Sequence, residues 1–455
     1  MTHAGAHAIV VGASLTGLCA AAVLAERFDR VTIVERDSLP ADGRPRGGVP
    51  QGRHAHILLP GGLRGLADLF PGIAGDLRFH DAHIIPAAEF RFYIAGGRLR
   101  LDDPELQIVG ATRPLLEMVI RKRVCALSNV TFVEGDARGL IATADRARVT
   151  GLRLPPGHPD ADRVAAGDLI VDAGGRGSRS PHWLAELGYA APDEQRFPVG
   201  VHYTTRLFHR TGKDLDGCRH VVVSIPRGRR RGGLALAVEG DRWLVTLVGL
   251  AGERPPADLD GFTAYTRSLW TADLHDLVTG APPVGQASTG AFPAYLRRRY
   301  DRLRRFPARF VPVGDAVCSL NPVYAQGMSV AVSEAAALGQ VLDRNGPQRA
   351  GPAFFRRARP IVDDAWALAT GADLGHPELE GPRTFGWRVL NGYLGRLLPV
   401  AHHDPVVARA FLAVSGMVER PRHLLHPRIV RRVLLAGRPP ARQPDAVQQA
   451  GATGR

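Results

Sequence analysis

The chain has 455 residues, 45% of them apolar, enough for one large enzyme or two to three domains around a sizeable core. No apolar run reaches the roughly 18 residues that a membrane span needs. The net charge is +14, but the cations are almost all Arg, with only Lys122 and Lys213 as lysines, and no zinc-finger or RNA-binding signature accompanies them, so nucleic acid is not an expected partner.

The opening MTHAGAHAIVVG has no Lys or Arg before its apolar stretch, which argues against a signal peptide and for a cytoplasmic protein. Residues 8–11 (AIVV) predict a strand. GASLTG, the helix-rich LCAAAVLAERF and a second strand in RVTIVERD follow, the start of a doubly wound parallel sheet. A further piece of that sheet is expected over 111–185, with a helix in TRPLLEMVIRKRVCAL and strands in VTFVEG, RVTGLRL and DLIVDAGG. Residues 199–250 change character: HYTTRLF, RHVVVSI, GGLALAVEG and RWLVTLVGL are β-rich runs between turns and predict an antiparallel sheet. The parallel pattern returns at ARFVPVGDA, followed by a helix from about 327 to 343, so the nucleotide-binding domain is discontinuous. Residues 353–435 read as mostly helical. Within them Trp387, Leu390, Tyr393 and Leu397 stand at helical spacing, read as a capping face in preference to a membrane-surface face. RPPARQPDAVQQAGATGR at the end predicts a disordered tail. Four scattered cysteines without a CxxC pair exclude a disulfide framework or zinc site, and His54 and His56 in RHAH lack a third partner at metal-site spacing.

Gly12-Ala-Ser14-Leu-Thr-Gly17 departs from GxGxxG by Ser14 at the second glycine position. Gly12 suits the tight turn, Ser14 is small enough for backbone approach to a pyrophosphate, and Gly17 lets helix and strand pack closely. The helix N-terminus supplies unpaired N–H groups to phosphates. Glu35 ends the second strand, 23 residues after Gly12, where an acid binds a ribose 2′-OH. That favours FAD or NAD over NADP.

Three ordered motifs, GASLTG, DAGGRGSR at 172–179 and GDAVCSLNPVYAQGM at 314–328, resemble flavoprotein monooxygenases of the para-hydroxybenzoate hydroxylase fold. GMSVA at 327–331 is similar to the squalene epoxidase branch. GGVPQGRHAHILLPGG at 47–62 and PRHLLHP at 421–427 resemble bacterial epoxidases and hydroxylases of polyketide and terpenoid pathways. The resemblance implies a Rossmann-like FAD-binding domain (1–75, 108–185 and 288–345), an inserted antiparallel β-sheet substrate domain (76–107 and 186–287), a C-terminal helical region (346–437) and a tail (438–455). It places Asp315 on the FAD ribityl chain and the backbone of Gly327 and Met328 at the flavin ring, where a helix N-terminus stabilises reduced flavin. It further places Arg113 and Arg46 towards the FAD phosphates, counts Arg36 among the cofactor-binding residues, and sets the backbone of Val133 at adenine. Pro322, with Val49, Pro50 and Gln51, is expected beside the flavin, and Tyr324 is a further flavin-proximal candidate, either to hydrogen-bond a substrate or to pack under the flavin helix.

The resemblance implies that reduced FAD reacts with O2 to give a C4a-hydroperoxide that epoxidises or hydroxylates an apolar polyene, polyketide or terpenoid intermediate. No side chain is assigned as certainly catalytic and no metal is expected. Electrons come from NAD(P)H or a partner flavin reductase. The rivals are a geranylgeranyl-reductase-like FAD-dependent alkene reductase, a flavin halogenase (whose WxWxIP signature the five isolated tryptophans lack) and a non-catalytic nucleotide-binding protein.

Overall fold

The computed structural model describes residues 3–48 and 50–436. Val49 and the expected tail at 438–455 lie outside them. A five-stranded parallel sheet is built on β1 (Gly5–Val11), a run buried on both faces as a central parallel strand requires. Beside it lie β2 (Phe28–Glu35), which leads on to β5 (Val130–Glu134), and on the other side β6 (Leu169–Asp172) and β12 (Phe310–Pro312). Helix α1 (Leu15–Ala25) is Ala-rich and almost wholly buried, apolar all round as a core helix is.

The second sheet has eight strands. Its spine is a pair of 16-residue strands, β7 (Glu194–His209) and β11 (Pro283–Arg298), antiparallel and joined at one end to the short β13 (Cys318–Ser319). β10 (Arg242–Gly249), β9 (Arg231–Val238) and β8 (His220–Val223) continue it antiparallel. β3 (Phe90–Ile94) joins parallel to β8, and β4 (Gly97–Arg98) closes the edge. The sheet is therefore antiparallel except for one pair.

One expected strand of the parallel sheet lies elsewhere. Val149–Arg153 pairs antiparallel with Gly139–Ala142 in a separate hairpin. The six residues between them close a hairpin locally, whereas parallel pairing needs a longer crossover.

Helix α2 (Arg113–Cys125) starts at Thr112, whose hydroxyl caps Leu115 N–H, with Pro114 in the first turn. Helices α3 (Gln326–Asn345) and α4 (Ala350–Asp373) pack together over the parallel sheet. The C-terminal helices α5 (Phe385–Ala401), α6 (Pro405–Ser415) and α7 (Pro427–Leu435) share a smaller core of Leu397, Ala401, Val407, Leu424, Ile429 and Val433. The stripe expected to cap the domain does so in three of its four residues. Leu397 is buried, Trp387 Nε1 donates to Gly371 O and Tyr393 Oη to Leu424 O, but Leu390 faces solvent. Among the described residues no helix is long and apolar enough to cross a membrane.

Candidate functional site

A cleft of about 460 Å³ opens at the carboxyl end of β1, within the range usual for small-molecule sites. Strand order reverses at β1, the point where open α/β sheets hold ligands. Val11 at the end of β1 and Gly12 after it, Val34 and Glu35 of β2, and Asp172 at the end of β6 with Ala173 after it line it together.

The glycine turn is forced by space. Gly12 has φ +97°, and a Cβ there would lie 2.8 Å from Ala173 O. Gly17 does not line the cleft. A Cβ on it would come within 1.8 Å of Gly12 O, so no larger residue lets α1 pack this close to the turn. Ser14 lines the cleft as the N-cap of α1, yet its side chain makes no cap hydrogen bond.

Charged groups surround that helix end. Glu35 Oε2 accepts from Ala13 N–H at 2.7 Å and pairs with Arg46 Nη1 at 2.8 Å, so the carboxylate braces the glycine turn from the cleft wall. Arg36 also lines the cleft and is exposed. Arg113 pairs with Glu117 at 2.7 Å, and Glu117 Oε1 accepts from Leu15 N–H at 3.3 Å. Burial alone would raise the Glu117 carboxyl; Arg113 and Arg46 outweigh it and hold it below the usual carboxylate range. Arg46 and Arg113, 67 residues apart in sequence, thus meet on one carboxylate. Val133 does not line the cleft. Its side chain is buried within β5, and Gly135, Asp136 and Ala137 reach the cleft after the strand ends.

At the other end, Asp315 lies in a tight turn after β12 and faces the cleft. Burial pushes its carboxyl up, opposed by Arg113, the Ser319 hydroxyl, Arg176 and Arg298. Gly314 N–H donates to the buried Glu334 of α3 at 2.5 Å. Helix α3 begins at Ala325 in the left-handed region (φ 54°) with no side-chain cap, and its first residues Gly327 and Met328 line the cleft. A Cβ on Gly327 would meet nothing within 4 Å. Gln51 and Pro322 line the cleft as well. Tyr324 does not. Its hydroxyl donates to Asp373 Oδ1 at 2.6 Å, so it braces the loop from behind.

His56 lines the cleft, and its Nδ1 meets His54 O at 3.0 Å; burial lowers both rings to about 4. Among the described residues no cluster could hold a metal ion.

DAGGRGSR at 172–179 is expected at the site as a motif with no role for any one residue, and Tyr203 and Phe292 are not expected there at all. Asp172 spends its carboxylate inside its own loop, accepting from Gly174 N–H and from the Ser178 and Ser180 hydroxyls. That frames Arg176, which lies 5.0 Å over the Phe292 ring and donates to Ser319 Oγ at 3.2 Å. Tyr203, Ala291 and Phe292 bring the second sheet to the cleft. The Gly-Arg-Gly at the end of a parallel strand was the available signal for Arg176; nothing local marks Tyr203 or Phe292, which only sheet register carries there.

The residues fit a dinucleotide. Two helix N-termini without side-chain caps lie along one cleft, one ringed by arginines and suited to phosphates, the other open at a glycine and suited to a polar ring edge. Asp315 lies in the same cleft with acceptor oxygens for hydroxyl groups.

No protein-family model matches the chain. It is similar in fold to the probable FAD-dependent monooxygenase PqsL of Pseudomonas aeruginosa, with a TM-score of 0.62 and 16% identity, covering 81% of this chain and 96% of that one. The flavin-dependent brominase Bmp2 aligns with a TM-score of 0.65 and 15% identity over 94% of this chain and 98% of that one. The architecture is thus the fold of FAD-dependent monooxygenases. In sequence, the kynurenine 3-monooxygenase of Salinispora arenicola is 26% identical over 79% of this chain and 77% of its own. At 35% identity over 432 residues, 91% of this chain and 90% of the relative, the chain belongs to the family of Protein Rv3254 of Mycobacterium tuberculosis.

Proposed function

We propose that this protein is an FAD-dependent monooxygenase that epoxidises or hydroxylates an apolar polyene, polyketide or terpenoid intermediate. The observation that carries the reading is the convergence, on one cleft, of the glycine turn, the arginines at its helix end, Asp315 and the open start of α3. The kynurenine 3-monooxygenase relative and the fold support the oxygenase class. When bound and reduced, FAD supplies the activation of O2. Arg113 and Arg46 would hold the phosphates, and Asp315 would accept from the ribityl hydroxyls. The N–H groups at Gly327 and Met328 would favour negative charge on the ring edge without a titrating side chain. Pro322 and Gln51 would wall the ring. Ala55, Ile57, Tyr203 and Phe292 offer mostly apolar surface on the second sheet's side, which supports an apolar substrate. NAD(P)H or a partner reductase supplies the electrons.

The test begins with the chromophore. The purified protein should release FAD on denaturation, or take it up when apo, and Asp315→Ala should weaken that uptake. A protein that neither holds nor takes up flavin overturns the reading. With the reduced holoprotein and an alkene, label from O2 should enter the product; saturation of the alkene without O2 makes it a reductase instead.

A further inference from the structure

The C-terminal helices combine two surface features; of the large apolar side chains exposed among the described residues, only Phe79 and Leu259 lie outside 385–435. Large apolar side chains stand in water there: Phe385 is 75% exposed, Val389 57% and Leu390 44% on α5, and Leu434 and Leu435 are 60% and 71% exposed at the end of α7. These two helices pack on each other through the Leu397, Leu424, Ile429 and Val433 core, so the exposed residues sit on neighbouring elements.

The second feature is charge. Residues 383–436 carry nine arginines against two acids, Asp404 and Glu419, which is half of the chain's net +14. Arg409, Arg420 and Arg432 are ion-paired, and Arg383 donates to three backbone carbonyls. Arg388, Arg396, Arg422, Arg428 and Arg431 are exposed and have no acidic partner among the described residues.

We infer that α5 and α7 form a peripheral docking face for an anionic phospholipid surface, with Phe385, Val389 and Leu390 entering the headgroup boundary and the unpaired arginines meeting lipid phosphates. The pairing of apolar side chains with excess arginine decides the occupant. A second copy would bring like-charged arginines together. Nucleic acid would use the arginines and leave the phenylalanine and leucines without a role. Residues 437–455 carry three arginines and one acid, a poor complement to a basic face. α5 is anchored by Trp387 to Gly371, two residues before the Asp373 that braces the cleft loop. The inference does not depend on the flavin reading.

The test is co-sedimentation of the full-length protein with vesicles of phosphatidylcholine alone or mixed with phosphatidylglycerol, with FAD content and thermal midpoint measured in parallel. Binding is expected with phosphatidylglycerol and should fall as salt rises. The triple variant Phe385→Ser, Val389→Ser, Leu390→Ser should lose binding at least tenfold with an unchanged midpoint, since these side chains are outside the core. Arg388→Gln with Arg396→Gln should lose about fivefold per arginine, on anionic vesicles alone. Absence of binding to either vesicle, or binding that the triple variant leaves intact, overturns the inference. A dimer dissociated by the triple variant assigns the face to a second copy, and binding gained only on removal of residues 437–455 assigns it to that segment. Duplex DNA bound more tightly than phosphatidylglycerol assigns it to nucleic acid.

Discussion

Tyr324 Oη donates to Asp373 Oδ1 at 2.6 Å, and this bond ties the last turn of α4 to the loop that carries Pro322 into the cleft. Asp373 also accepts from Tyr295 Oη on β11 and from Asn321 Nδ2 at 3.1 Å. One buried carboxylate therefore joins the helical region, the second sheet and the cleft loop. Burial pushes its carboxyl up, and its three donors oppose that.

Asp373→Ala should cost more than Tyr324→Phe. The first leaves two buried hydroxyls and an amide without their acceptor, at about 1–3 kcal/mol each. The second removes one donor from an acceptor that keeps two others, at about 1 kcal/mol. Urea unfolding of both variants gives the order, and FAD titration should show weaker binding in Asp373→Ala as the Pro322 loop loosens. Equal stability of the two variants would contradict the carboxylate's role as the common acceptor.

Gly17 and Gly327 belong to two motifs of similar appearance, and their space differs. A methyl on Gly17 meets Gly12 O at 1.8 Å, so Gly17→Ala must push α1 from the sheet, at about 1–3 kcal/mol. A methyl on Gly327 meets nothing within 4 Å, and alanine favours a helix over glycine by about 0.8–1 kcal/mol. Gly327→Ala should keep or raise the thermal midpoint while lowering FAD affinity, because its methyl stands where the ring edge approaches. A Gly327→Ala protein that binds FAD as wild type would move the ring elsewhere.

The first glycine turn and Glu35 are legible because their physics is local, a tight turn and a strand end, whereas Arg113 and Asp315 reach the site only through the resemblance of their motifs. The parallel sheet followed from apolar runs buried on both faces. The hairpin at Gly139–Ala142 and Val149–Arg153 was not legible, since its residues suit either sheet and only pairing decides. The motif leaves Tyr324 either as a substrate contact or as a loop aromatic packed under the flavin helix; the structure favours the second, through Asp373 49 residues on, a contact no local pattern reports. Arg46 was placed by the loop preceding the site; its meeting with Arg113 on Glu117 is a tertiary fact.

The Arg113–Glu117 pair predicts a rescue. Arg113→Ala leaves a buried carboxylate with only Arg46 and the Leu15 N–H as partners and should destabilise the protein, by less than the ~3–5 kcal/mol of a fully stranded buried charge. Adding Glu117→Gln removes the stranded charge and should recover part of that loss, while FAD affinity stays low because the phosphate-side guanidinium is gone. A double variant no more stable than Arg113→Ala would show that the pair's charges do not balance each other.

The pH dependence of stability should have two limbs of opposite sign. Burial lowers His54, His56 and His220 from 6.5 to about 4 in the folded chain. The unfolded chain then binds more protons between these values, so stability is full above pH 6.5 and is lost as pH falls through 4. Glu334 does the reverse. Burial, with Asp315 adding to it and the Gly314 N–H opposing, raises it from 4.5 to about 8. The folded chain binds the extra proton, so this group's contribution is full below pH 4.5 and is lost as pH rises through 8. Glu334→Gln keeps an acceptor for Gly314 N–H and removes the titration. Urea midpoints measured from pH 5 to 8 should therefore rise for the variant relative to wild type as pH increases, with the difference level above 8. A pH-independent difference would place the Glu334 proton outside that window and leave the carboxylate charged beside Asp315 throughout.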